Sequence, residues 1–349
     1  MKKGSIRLKL RTLPFLLLIF VLFNCDVLTA EPKDLKPVPK QSKPKEIIKN
    51  DTSREILVNH FGIKVYLFPD RKSDILRVLK FGERVVYDSE TLELPNEIWV
   101  PIRTKEGLSG HILRDTVKFV SKEKYLDSFV FEADKYLNSN SLSLLERMEI
   151  TDSLFSLSTS GDYSADSFTF IRTKAGFGLK RTLDLINQNK IKPDSSPELL
   201  DFLKRHQSKL LYDYSDFLYY VDPNYFWKLI ETNPNTKHAD YAGYLASEVL
   251  PSPECKNDLG CELENLRKTK MRYIYQFPNG NYANLYFKEI ITKLKKITKD
   301  PDSIACYQPL SQLIRSEITL LRKYAEEFTV RHRKEIIPYI SILQKECIK

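Results

Sequence analysis

The side chains able to do chemistry in this chain are few and scattered. Five histidines (His60, His111, His206, His238, His332) and five cysteines (Cys25, Cys255, Cys261, Cys306, Cys347) are spread over 349 residues. A zinc site shows itself in sequence by paired two-residue gaps between cysteines, or by histidines one helical turn apart. Cys255 and Cys261 stand six apart and no two histidines share a turn, so neither a metal nor another cofactor is expected. A nucleophilic cysteine of the wall-peptidase kind sits in an Asp-Cys-Ser-Gly-like setting with a later histidine. Here the settings are Pro253-Glu254-Cys255-Lys256 and Ala305-Cys306-Tyr307, and neither fits. There is no glycine-rich phosphate loop and no Gly-x-Ser-x-Gly elbow. Carboxylate pairs occur along every polar helix face and single out no acid-base couple. The chemistry-bearing residues therefore point to a non-catalytic role.

The cysteines say more about compartment than about reaction. Lys2, Lys3, Arg7, Lys9 and Arg11 form a cationic start with no acid, and Leu13–Phe23 is an unbroken apolar run. Eleven helical residues reach about 16 Å, short of the roughly 30 Å hydrocarbon core, so residues 1–24 read as a signal peptide and the chain as exported. Two processing sites follow. Cleavage after Leu28-Thr29-Ala30 would release a soluble periplasmic or secreted protein. Leu22-Phe23-Asn24-Cys25 resembles a bacterial lipobox, with Asn24 where a small residue is usual, and that resemblance implies lipid attachment at Cys25 and anchorage to the membrane. With Cys25 set aside, four cysteines remain, an even set for an oxidising compartment. The expected pairing is Cys255 with Cys261 across a short loop and Cys306 with Cys347.

Residues 25–52 are lysine-rich and carry Pro32, Pro37, Pro39 and Pro44. Such composition cannot bury enough surface to offset its ordering entropy, so this stretch reads as a tether. The charge agrees with that division. Of the net +9, five charges lie in residues 1–24 and two in 25–50, leaving about +2 interleaved over the rest. A nucleic-acid binder concentrates its basic residues on one face, so no nucleic-acid partner is expected.

From Gly62 the apolar pattern alternates. Ile63–Tyr66, Ile75–Leu79, Arg84–Tyr87, Ile98–Arg103 and Gly110–Leu113 are short runs rich in β-branched and aromatic residues, separated by turns at Pro69-Asp70, Gly82, Pro95-Asn96 and Glu106-Gly107. The residues alone indicate a small all-β barrel. The order of Val65, Pro69, Val78 with Leu79, Gly82, Trp99 with Ile102, Gly107, and Gly110 with Ile112 resembles the bacterial SH3-like domain, over residues 53–120. The resemblance departs at Phe68, where glycine is expected, and at His111, where an aromatic is expected. It implies a binding module whose candidate ligand-facing residues are Tyr66, Phe68, Trp99 and His111. On a strand of so small a barrel, Trp99 reads as a packing residue ahead of a ligand platform, and His111 reads as an exposed strand histidine.

Beyond Ser121 the period becomes helical. Tyr125, Phe129, Ala133 and Tyr136 mark one helix, and Leu142, Leu145, Met148 and Leu154 a second. Residues 158–178 are rich in Ser, Thr, Gly and Asp, with Phe168–Ile171 a candidate strand. Ser196-Pro197 signals a helix start. The stripe Leu199, Leu203, His206, Leu210, Tyr214, Phe217, Val221 predicts one long helix ended by Pro223, with His206 packed on it. Its spacing assigns the aromatics from Tyr212 to Trp227 to core packing ahead of a sugar or peptide platform. Phe287 to Ile297 and Leu310 to Phe328 predict two more amphipathic helices.

The fold expected is multidomain α+β, a small SH3-like barrel followed by a mainly α-helical domain over residues 121–349. The function expected is a lipid-anchored envelope protein whose two parts bind peptidoglycan or an envelope protein. The alternative is a wall-modifying hydrolase with its carboxylates in the helical part.

Overall fold

The computed structural model describes residues 54–88, 98–214, 216–248, 258–299, 306 and 311–348. Residues 54–121 form one antiparallel sheet of seven strands: β1 (Arg54–Val58), β2 (Ile63–Tyr66), β3 (Ile75–Leu79), β4 (Arg84–Tyr87), β5 (Trp99–Thr104), β6 (Ser109–Leu113) and β7 (Val117–Ser121). Their order across the sheet is β3-β2-β6-β5-β4-β1-β7. Among the described residues β3 and β7 do not pair with each other, so a closed barrel is not found and the sheet stands open at both edges. The five runs legible in the sequence are β2 to β6. β1 and β7 were not legible, because Ile56-Leu57-Val58 and Phe119-Val120 are apolar on both faces and break the alternation.

The sheet is buried on both sides at β1. Ile56 and Val58 pack inside the sheet's own core with Val65, Leu79, Val85, Val100, Ile102 and Ile112. Leu57, on the opposite face, belongs to the helical core with Phe81, Val120, Tyr125 and Phe129. The β3–β4 turn drives this junction. Phe81 is fully buried and packs on Phe61, Phe129 and Tyr136 with ring centroids 5.4–5.6 Å apart. Its N–H donates to Glu149 at 2.6 Å and its carbonyl accepts from Ser153 at 2.8 Å. Burial pushes the Glu149 carboxyl above its ordinary range, although the Phe81 N–H opposes that.

The helical part begins with α1 (Tyr125–Leu137) and α2 (Leu144–Leu157), the latter opened by a capping box between Ser143 and Glu146. α3 (Ala165–Gln188) follows, capped by Ser164, and it takes in the expected irregular stretch and strand at Phe168–Ile171. The small residues there are packing devices. Thr169, Thr173, Ala175, Gly176 and Gly178 are buried, and a Cβ on Gly176 would lie 2.5 Å from the Phe226 ring. Close approach of neighbouring helices thus imposes a composition that in sequence looks like loop.

α4 (Pro197–His206) starts as expected, with Ser196 accepting from the Leu199 N–H. It stops at His206. Residues beyond it form a hairpin, β8 (Leu210–Asp213) with β9 (Leu218–Val221), so the single long helix is replaced by helix and hairpin. Pro223 does not end an element; it occupies the first turn of α5 (Pro223–Thr232), capped by Asp222. α6 (Ala239–Ser247) is followed by α7 (Leu259–Leu266) and α8 (Arg272–Gln276), which run on through a π-helical turn at Arg267–Met271. α9 (Ala283–Ile297), α10 (Ser311–Glu326) and α11 (Val330–Cys347) complete the chain. Cys306 is disulfide-bonded to Cys347, their Cα atoms 5.1 Å apart. Cys261 is disulfide-bonded as well, and Cys255, the partner expected for it, lies outside the described residues. So do the segments expected to be the signal peptide, the Cys25 attachment site and the tether over residues 25–52.

Candidate functional site

Folding does not gather the chemistry-bearing residues into a centre. His238 stacks on Phe170 with ring centroids 4.4 Å apart and His332 on Phe287 at 4.0 Å. Burial lowers the pKa of both imidazoles. His206 Nε2 meets Asp152 at 2.8 Å, and the same carboxylate takes Arg205 at 2.7 Å. Burial alone would raise the Asp152 carboxyl, and these two partners more than offset it, leaving it below its ordinary range. Among the described residues no group of three His, Cys, Asp or Glu side chains is placed to hold a metal, and no helix is long and apolar enough to cross a membrane.

Three of the four candidates in the sheet are buried. Tyr66 is 9%, Trp99 6% and His111 9% exposed. Tyr66 and Trp99 meet edge to face at 5.3 Å, Tyr66 pairs with His111 across β2 and β6, and His111 Nδ1 lies 3.3 Å from the Leu67 carbonyl. His111 is therefore not the exposed strand histidine expected. Only Phe68 of the four, 62% exposed on the β2–β3 loop, faces solvent.

The most exposed aromatic surface lies on the β8–β9 hairpin. Pairing sets Leu210 opposite Val221 and Tyr212 opposite Tyr219 on one face, and Leu211 opposite Tyr220 and Asp213 opposite Leu218 on the other. The first face is the anchored one. Val221 is buried, and Leu210 and Tyr219 pack against the helical core. The Asn187 side chain acts as a short third strand, donating to the Tyr219 carbonyl at 2.8 Å and accepting its N–H at 3.0 Å. The tip is the opposite case. Tyr214 is 81% and Phe217 74% exposed, with Leu211 also exposed beside them. Tyr212 braces the tip, its ring 4.9 Å from Tyr214 and 4.6 Å from Tyr219.

Phe217 is the strained residue of this hairpin. Its φ is +58°, in the left-handed region, where a bulky L-residue costs about 1–2 kcal/mol and glycine would cost nothing. The fold holds a large apolar ring in water on a strained backbone. Strain of this kind collects at binding sites. No family of known proteins, no curated protein and no solved structure matches this chain.

Beside the hairpin, a small cleft is lined by Lys180, Asp184, Tyr219, Tyr220, Phe226 and Glu248, among others. Two carboxylates thus converge on one cleft, as the hydrolase alternative requires. Both are already engaged. Asp184 holds Lys180 at 3.0 Å, and Glu248 accepts from the Tyr286 hydroxyl at 2.8 Å. These groups supply polar anchoring at the edge of an aromatic surface. Sequence reasoning placed Tyr214 and Phe217 in a core because their spacing also fits a helix. The signal that separates the two cases is the run Asp213-Tyr214-Ser215-Asp216 between two Leu/Tyr segments, which is turn chemistry.

Proposed function

We propose that this chain is a non-catalytic, exported envelope lipoprotein, anchored through Cys25, that binds a protein of the envelope through the β8–β9 hairpin. The strained and exposed Phe217 carries the reading. Tyrosine and phenylalanine dominate the energetics of protein interfaces when they fill a partner's pocket. Asp216 is exposed at the tip, so the partner's pocket is apolar with a basic rim, and an anionic membrane surface is disfavoured. The sheet is read as an SH3-like module, supported by the strand order legible in β2 to β6; its exposed Phe68 would contribute a second contact.

Two measurements test this. Phe217→Gly should be as stable as the wild type or about 1 kcal/mol more so, because the strain is relieved. Capture of solubilised envelope proteins by the same variant should fall at least tenfold, and Tyr214→Ala should reduce it likewise. If the wild type is instead retained on purified wall sacculi, equally with both variants, the hairpin is not the binding surface. For the anchor, a palmitate analogue fed to cells should label the wild type and leave Cys25→Ala unlabelled; equal labelling would remove the lipoprotein.

A further inference from the structure

Several cations in the helical part are matched to acids. Lys174 holds Asp134, Lys180 holds Asp184, Arg205 holds Asp152, Arg267 holds Glu317, Arg272 holds Glu231 and Lys293 holds Glu262. Arg147 and Arg181, lacking acids, both donate to the Leu137 carbonyl at the end of α1. Arg172 on α3 and Lys209 at the foot of β8 follow neither pattern.

Both converge on one ring. The Lys209 Nζ lies 5.0 Å and the Arg172 Cζ 5.9 Å from the centroid of Phe155. Arg172 also lies 5.4 Å from Phe168, and its Nε is buried without a hydrogen-bond partner. Neither cation has a carboxylate within ion-pair distance among the described residues. Asp152, the nearby acid on α2, is committed to Arg205 and His206. His206 itself stacks on Phe155 at 4.7 Å.

Two half-buried cations around one aromatic ring repel each other and have lost part of their hydration. Burial, and then the charge of Arg172, lowers the Lys209 pKa. Folding tolerates such a pair at a cost, and an anion bound by both removes that cost. The site is held rigidly: Tyr225 donates its hydroxyl to the Arg172 carbonyl at 2.7 Å, and the Asp222 N–H donates to the Lys209 carbonyl at 2.8 Å. A guanidinium fork beside an ammonium suits a tetrahedral oxyanion, with the arginine giving directed hydrogen bonds and the lysine a point charge.

We propose that Arg172 and Lys209, over Phe155, form a binding site for a phosphate group. This site is separate from the hairpin tip and does not depend on the binding assigned to it.

The test uses the full mature chain with Cys25→Ser, so that no lipid anchor contributes. Inorganic phosphate, titrated at constant ionic strength against chloride, should raise the melting temperature along a saturable curve. Arg172→Gln and Lys209→Gln should each weaken the midpoint at least tenfold. Lys209→Gln should also be no less stable than the wild type without phosphate, since it removes the repulsion. Vesicles of phosphatidylcholine with and without phosphatidic acid distinguish the source. If the variants lose binding to phosphatidic acid as well, the natural phosphate is a lipid headgroup; if they lose only inorganic phosphate, it is a soluble one. A phosphate effect that does not saturate, or that is identical in the wild type and both variants, overturns the site.

Discussion

Gly82→Ala should destabilise the sheet and the helical part together, by about 2–5 kcal/mol. The φ of Gly82 is +73°, and a Cβ built there lies 1.7 Å from one Phe129 ring carbon and 2.7 Å from two others. The left-handed backbone alone costs a side chain about 1–2 kcal/mol, and forcing a methyl into a filled core adds about 1–3. Phe129 cannot yield cheaply, because it is itself packed by Phe81 and Tyr125. Moving the turn instead would break the bonds from Gly82 N–H to the Val58 carbonyl at 2.7 Å and from the Tyr125 hydroxyl to the Gly82 carbonyl at 3.0 Å. Phe81→Ala at the next position should cost about 3–5 kcal/mol by emptying the same core. Against a usual total of about 5–15 kcal/mol, either change is large.

The chain carries its own reporters for this experiment. It has two tryptophans, Trp99 buried in the sheet and Trp227 buried in the helical core. Denaturant unfolding of the Trp99→Phe and Trp227→Phe variants, followed by fluorescence, reads each half by itself. The two transitions should coincide, and Gly82→Ala should move both by the same amount. A sheet transition that shifts while the helical one stays would show that the β3–β4 turn does not join them.

That joint explains how much of this molecule was legible in advance. Strands β2 to β6 were readable because turn glycines and β-branched runs are local signals, and Gly82 was correctly placed in a turn. What the turn does was not readable. Phe81 looks like one more turn residue until Glu149 and Ser153, some seventy positions later, close on its peptide. The helix errors have a similar origin. Thr169, Gly176 and Gly178 look like loop in sequence because helix–helix proximity, a tertiary fact, selects small residues. Leu210, Tyr214, Phe217 and Val221 satisfy helical spacing by coincidence, while the hairpin also satisfies period two. The candidate site moved for the same reason: Tyr66, Trp99 and His111 were singled out on the sheet and proved buried, whereas the exposed aromatics sit on the hairpin that the helical reading had concealed. The disulfide between Cys306 and Cys347 was legible, since an even set of four cysteines leaves few pairings.

Glu317→Leu is expected to cost about 3–5 kcal/mol, and the reason lies in the π turn of residues 267–271. Glu317 on α10 is 3% exposed and takes Arg267 in a two-pronged pair, Nε to Oε2 at 2.5 Å and Nη2 to Oε1 at 2.8 Å. The hydrogen bonds that Arg267 donates to Glu317 raise its pKa, against the opposing effect of burial. The π turn shifts the face of the α7–α8 helix by one residue, which brings Arg267 onto α10 while Met271, Tyr273 and Ile274 stay in the core. The widened turn is supported from α6, where Ser247 donates its hydroxyl to the Thr269 carbonyl at 3.3 Å. Removing the carboxylate leaves a guanidinium buried without its anion, and that uncompensated charge, more than the lost attraction, sets the cost. The double variant Arg267→Met with Glu317→Leu should therefore recover most of the loss, because two apolar side chains of similar volume can fill the same space. Stability of the wild type, both singles and the double, by urea unfolding at neutral pH, gives the coupling directly. A double variant as unstable as Glu317→Leu alone would mean that the pair holds the π turn in register, and is not merely tolerated by it.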